Sequence, residues 1–157
     1  MFTKKIILHL FVCFTSLNVS YAQDIVSMKD IPVVYNIDSL VEKIPSFQNK
    51  STQYITHLIT IEESRILFGS YKQGYYLNEI DSLSNLLHYP FGQAFYAYGS
   101  AILFNYYSPE NTQRPIKFAE KALALFTSNH DTTGIFFSLL LLAKTYHVYF
   151  RYLVNNI

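Results

Sequence analysis

The stretch Phe95-Tyr96-Ala97-Tyr98-Gly99-Ser100-Ala101-Ile102-Leu103-Phe104-Asn105-Tyr106 sets Phe95, Tyr98, Gly99, Ile102 and Tyr106 at i, i+3, i+4, i+7 and i+11. That spacing puts all five on one face of a helix. Ser108-Pro109-Glu110-Asn111 has the chemistry of a turn. Beyond it, Ala119, Ala122, Leu123 and Phe126 repeat i, i+3, i+4, i+7, up to a polar loop over Ser128–Asp131. A longer helical run begins near Thr132 or Thr133, with Ile135, Leu139, Leu142, Ala143, Tyr146 and Phe150 as its face. Leu140 and Leu141 lie on its other side, so this helix calls for neighbours all round. Lys144 and His147 sit inside it and leave the uncharged part too short for a membrane span.

Upstream, the pattern predicts a helix from about Gln73 to His88 on Tyr76, Ile80, Leu83 and Leu87, ended by Tyr89-Pro90. Before that, Ile55, Leu58, Ile59, Ile66 and Leu67 share a face interrupted by Glu62. Ser51 or Thr52 can cap that helix and Gly69 closes it. Asp38 can cap a short helix through Ile44, stopped by Pro45. Asp24 to Asn36, with Pro32, reads as an extended lead-in. Ile31-Pro32-Val33-Val34-Tyr35 is the one β-like stretch, and one strand cannot make a sheet. The chain is therefore expected to be all-α, built of antiparallel helix pairs joined by short loops. Residues 51–157 form the repeat region, behind an irregular lead-in with a short helix over 23–50.

The first 22 residues read differently. Lys4 and Lys5 precede an apolar run from Ile6 to Leu17, and Ser20-Tyr21-Ala22 places small residues where a signal peptidase reads. This is the pattern of a secretory signal peptide cleaved after Ala22, which implies export to the periplasm. The apolar run falls short of the roughly 20 residues a spanning anchor needs. Cys13 follows Phe11-Val12, not the small residue a lipid-modified cysteine wants. Without the leader no cysteine remains, so disulfides, thiolate nucleophiles and Cys-based metal sites are excluded.

Half of the residues are hydrophobic and 15% are charged, which is enough apolar surface to offset ordering entropy. The formal net charge is +1, from 12 basic and 11 acidic residues. Losing Lys4 and Lys5 turns it to −1. No basic stripe suits a phosphate backbone, so nucleic acid is not an expected partner.

Chemistry-bearing constellations are weak. His57, His88, His130 and His147 have no metal-ligand spacing and read as surface or helix-end residues. Adjacent Glu62 and Glu63 do not face one another on a helix and read as a solvated face. Gly69-x-x-x-x-Gly74 lacks the Lys-Ser/Thr of a phosphate loop. No catalytic set, cofactor site or metal site is expected.

Two stretches echo one another about 40 residues apart, with Ser82-Leu83 matching Ala122-Leu123. Phe95-x-x-Tyr98-Gly99-x-x-Ile102 and Leu139-x-x-Leu142-Ala143-x-x-Tyr146 resemble the first helix of a tetratricopeptide repeat. Ala119-x-x-Ala122-Leu123 resembles its second helix. Gly99, Ala122 and Ala143 are the small residues that let helix backbones approach. Pro115 stands where a small residue usually opens the second helix, the usual trailing proline is absent, and the spacing exceeds the common period of about 34.

The resemblance implies a short stacked α-α superhelix of the long-period type found in bacterial exported and sensor proteins. It implies a non-catalytic scaffold that binds a protein or peptide partner. By the same resemblance, Gln93, Tyr96, Ser100 and Leu103, then Phe137, Leu140, Lys144 and His147, would face the partner groove. The repeat region ends on a first helix with no second, so self-association through that open end is a further expectation. The alternative is the N-terminal periplasmic sensory region of a membrane-bound histidine kinase or transcriptional regulator. That reading requires truncation, since the 157 residues hold no C-terminal span or cytoplasmic module.

Overall fold

The computed structural model describes residues 27–70, 73–107 and 113–155. The leader expected over 1–22 lies outside them. Six helices pack against one another, with no strand among the described residues. They are α1 (Ile37–Val41), α2 (Thr52–Leu67), α3 (Leu77–Leu86), α4 (Pro90–Tyr107), α5 (Gln113–Ser128) and α6 (Thr132–Asn155). Each packs on its neighbour in sequence from α1 to α6, α3 on α2 included, and α4 also touches α2 and α6.

Local chemistry accounts for most boundaries and corrects some. Asn36, not Asp38, caps α1; its Oδ1 accepts the Ser39 N–H at 3.3 Å. Pro45 sits in a separate 3₁₀ turn, Ile44–Ser46, beyond the end of α1. The third helix starts at Leu77, not Gln73, behind Gly74 at φ +83°. Pro90 begins α4 instead of merely ending α3, because the first helical position needs no N–H. Pro115 likewise falls in the first turn of α5, where proline is tolerated.

The clearest regularity is in the connections. Tyr89 N–H donates to Ser84 C=O at 2.8 Å, and Asp131 N–H donates to Phe126 C=O at 2.9 Å. Gln93 to Tyr89 and Ile135 to Asp131 match in the same way. His88 and His130 both take left-handed φ, +51° and +56°. Each pair is 42 positions apart, so the α3–α4 and α5–α6 connections are one structure used twice. It is a Schellman-type cap, in which a left-handed residue lets the chain bond back over the helix end. The spacing is 42, not 40. It matches Leu83 with Leu125, and the Ser82-Leu83 echo of Ala122-Leu123 is out of step with the backbone.

Helix α2 is the centre of the molecule. Every residue from Tyr54 to Arg65 is buried, including Glu62 and Glu63, which therefore form no solvated face. His57 is also buried, against the expectation of a surface histidine; its Nε2–H donates to the Leu40 carbonyl at 2.7 Å. Helices α4 and α5 run in opposite directions, since Phe104 stacks on Phe118 near one end and Phe91 meets Phe126 near the other.

Helix α6 keeps only part of the face expected of it: Ile135 and Leu142 pack on the core. Gly134, Ser138, Leu141 and Thr145 are buried, while Leu139, Ala143, Tyr146 and Phe150 are exposed. A Cβ on Gly134 would lie 2.3 Å from the Phe126 ring, so this glycine, not the exposed Ala143, is the small residue that lets α5 pack closely here. Thr132–Arg151 is long and apolar enough to cross a membrane by length and composition. In the folded chain one side of it is committed to α5 and α4.

Candidate functional site

The C-terminal half of α2, the middle of α4 and the middle of α6 enclose a cleft of about 370 Å³. Its walls are apolar: Ile66 from α2, Tyr98 and Ile102 from α4, and Phe137, Leu140 and Leu141 from α6. Such a lining, with a few polar groups at its edge, suits an apolar side chain of a ligand. Asn105 and Lys144 supply polar groups, and Gly69 and Gln73 close the end nearest the α2–α3 connection.

Two hydrogen bonds run from the lining residue Asn105 into α6. Asn105 Nδ2 donates to Thr145 Oγ1 at 2.6 Å, and Thr145 Oγ1 donates to the Leu141 carbonyl at 2.8 Å. The first ties α4 to α6, and the second holds Thr145 within α6. Tyr98 and Phe137 meet across it, ring centroids 6.4 Å apart. One turn before Ile66 on α2 lies Glu63, buried, with Oε2 lacking a hydrogen-bond partner. Burial pushes its pKa up to about 7. The Tyr98 hydroxyl is also pushed up, by burial first and by the Glu63 charge second.

Away from the cleft lining, Glu62 organises the backbone of the α2–α3 connection. Fully buried, it accepts the N–H of Tyr76 at 2.9 Å and that of Gly74, and pairs with Arg65 Nη1 at 3.1 Å. Burial raises its pKa, against the lowering effect of those donors. Arg65 in turn lies 5.1 Å from the centre of the Tyr76 ring.

The eight residues expected to face a partner do not share one surface. Phe137, Leu140 and Lys144 line the cleft just described. Tyr96, Ser100 and Leu103 line a second cleft of about 340 Å³ on the opposite side of α4, with Leu77 of α3 and Phe118 of α5. Gln93 donates from Nε2 to Asn85 Oδ1 at 3.0 Å, and His147 is exposed on α6. The α4 side of the main cleft is made by Tyr98, Ile102 and Asn105 instead. The 42-residue register could have found them: shifted by 42, Leu140 falls on Tyr98 and Lys144 on Ile102. Glu63 carried no sequence signal, because an acidic residue on a helix reads as exposed until the covering elements are known.

No family model, curated protein or solved structure matches this chain. Among the described residues, no group of three or more His, Cys, Asp or Glu side chains could hold a metal ion.

Proposed function

We propose that this chain is a non-catalytic helical-repeat scaffold of the tetratricopeptide type, exported to the periplasm, that seats a peptide or protein partner in the α2–α4–α6 cleft. The observation that carries the reading is the cleft itself: an apolar trough built from alternate helices, with Asn105 of its lining bonded across to Thr145 of α6 and Lys144 among its lining residues. The 42-residue recurrence of the interhelical connection supports a repeat architecture. A preformed apolar trough flanked by a cation suits a short segment with an apolar anchor next to an acidic residue or a terminal carboxylate.

The test is selection of displayed random peptides on the purified chain. Peptides of that composition are expected, with binding at least tenfold weaker to Leu140→Arg and Lys144→Glu. Both side chains are exposed, so both variants should keep the wild-type circular dichroism. Selection that yields no peptide, or peptides indifferent to both substitutions, would sink the cleft as the site. Export is read separately, by mass spectrometry of the mature N-terminus, which should be Gln23.

A further inference from the structure

The 42-residue register places α6 on α4, and the two helices differ in one respect. On α4, Phe104 stacks on Phe118 of α5, and Asn105 bonds to Thr145 of α6. Around the helix axis, Ala94, Ala97 and Ala101 point between those two directions, all fully buried. Their counterparts on α6 are Phe136, Leu139 and Ala143, and Phe104 maps to Tyr146. These are bare: Phe136 is 61% exposed, Leu139 51% and Tyr146 49%, with Phe150 extending the stripe at 66%. The face that α4 gives to two following helices is thus present on α6, larger and more aromatic, and exposed among the described residues. Contiguous apolar surface of this kind marks an interaction site.

We propose that this face of α6 is the docking surface for an amphipathic helix of a partner protein, laid across it as α5 lies across α4, with an acidic flank. The helical occupant follows from the register: the same stripe on α4 is covered by helices. The acidic flank follows from charge. Lys144, His147 and Arg151 border the stripe, and α6 has no Asp or Glu from Thr132 to Asn155. Only an acidic neighbour complements that border. A second copy of the chain is the poorer fit. Its own α6 brings the same basic side chains, and the far end of the array is already covered, by α1 through Leu40 and His57. The surface is separate from the cleft: Leu139, Ala143 and Tyr146 do not line it.

The probe is a stapled, fluorescein-labelled peptide of residues 113–128 carrying Lys117→Glu and Lys121→Glu, its helicity checked by circular dichroism. It should bind the purified chain at least tenfold more tightly than the stapled peptide with the native, basic sequence. Its affinity should fall as salt rises. Leu139→Arg and Ala143→Arg, both at exposed positions, should each abolish binding while leaving cleft-directed peptides bound. Leu140→Arg should do the reverse. Equal binding of the acidic and native peptides, or binding indifferent to Leu139→Arg and Ala143→Arg, overturns the proposal. So does a concentration-dependent dimer in sedimentation that Ala143→Arg dissolves, which assigns the face to a second copy. Co-sedimentation with phosphatidylglycerol vesicles that Leu139→Arg abolishes, without peptide binding, assigns it to a lipid surface and overturns it too.

Discussion

Asp131 holds Met28 across 103 positions of sequence: its Oδ2 accepts the Met28 N–H at 2.8 Å. Its Oδ1 accepts the Ser27 hydroxyl at 2.7 Å and the Gly134 N–H at 3.1 Å. One buried carboxylate thus caps α6 and pins the start of the described chain to the α5–α6 connection. The pinned residues form a 3₁₀ turn, Met28–Asp30, with the Met28 side chain in the core. Asp131→Ala removes an N-cap and two long-range bonds at once, and should cost about 3 kcal/mol in urea unfolding. Asp131→Asn keeps the acceptor for Gly134 and should lose less. A loss under about 0.5 kcal/mol for the alanine variant would mean that the Asp131 hydrogen bonds contribute little to stability.

Helix existence was legible throughout, because the 3.6-residue periodicity of α4 and α5 survives in the core. Helix facing was less so. On α6 apolar residues surround the axis, so hydrophobicity alone could not choose between the Leu139 face and the Leu141 face. Steric fit chose instead: Gly134 and Ser138 are the small residues that let α5 approach. The α4 residues expected in the partner groove fall in a different cleft from the α6 ones for a related reason. Tyr96 and Tyr98 are two positions apart, about 200° around a helix, so a register error of two residues moves a residue to the opposite cleft. The burial of Glu62, Glu63 and His57 was beyond reach of a local pattern, since it depends on α1, α3 and α4 closing around α2.

Gly134 and Phe126 should behave as a coupled pair. A methyl group on Gly134 would meet three ring atoms of Phe126 at 2.3 to 2.7 Å, closer than atoms can pack. Alanine ordinarily favours a helix over glycine by about 1 kcal/mol. Overpacking here costs about 1–3 kcal/mol, so Gly134→Ala should lower the melting temperature. Phe126→Leu destabilises alone by opening a cavity, yet it should make room for the new methyl. The double variant should then be more stable than the sum of the two losses, by at least about 1 kcal/mol. Strict additivity in a double-mutant cycle would show that the two side chains do not touch.

Glu62 should control the α2–α3 connection. Removing it leaves Arg65 buried without its carboxylate and the Gly74 and Tyr76 amides without their acceptor. Glu62→Ala should destabilise by about 3–5 kcal/mol, most of it from the stranded cation. Replacing both partners, as Glu62→Leu with Arg65→Met, should recover much of that loss in global unfolding. It should not restore protection of the Gly74 and Tyr76 amides against hydrogen exchange. Fast exchange of both amides in the wild-type chain would contradict the arrangement.

Glu63 should make the fold weaken as pH rises. In the folded chain its carboxyl titrates at about 7, because it is buried without a partner for Oε2; the ordinary value is 4.5. Below pH 4.5 the group is protonated in both folded and unfolded chains and contributes no pH dependence. Between 4.5 and 7 the unfolded chain releases its proton first, so unfolding gains ground. Above 7 the full penalty is present, on the order of 3 kcal/mol. Glu63→Gln imitates the protonated form and removes that slope. Its stability should match wild type near pH 4.5 and exceed it near pH 8. Glu62, also shifted upward by burial, leaves a residual slope of the same sign in both proteins. His57 is shifted downward, mainly by burial, and acts the other way, with its stabilisation lost as pH falls below about 6.5. Only the difference between the two pH profiles therefore isolates Glu63. Urea midpoints measured across pH 4.5 to 8 that run parallel for wild type and Glu63→Gln would show that this carboxyl is solvated, and that the α2 side of the cleft is wetter than the packing of Ile66 and Tyr98 implies.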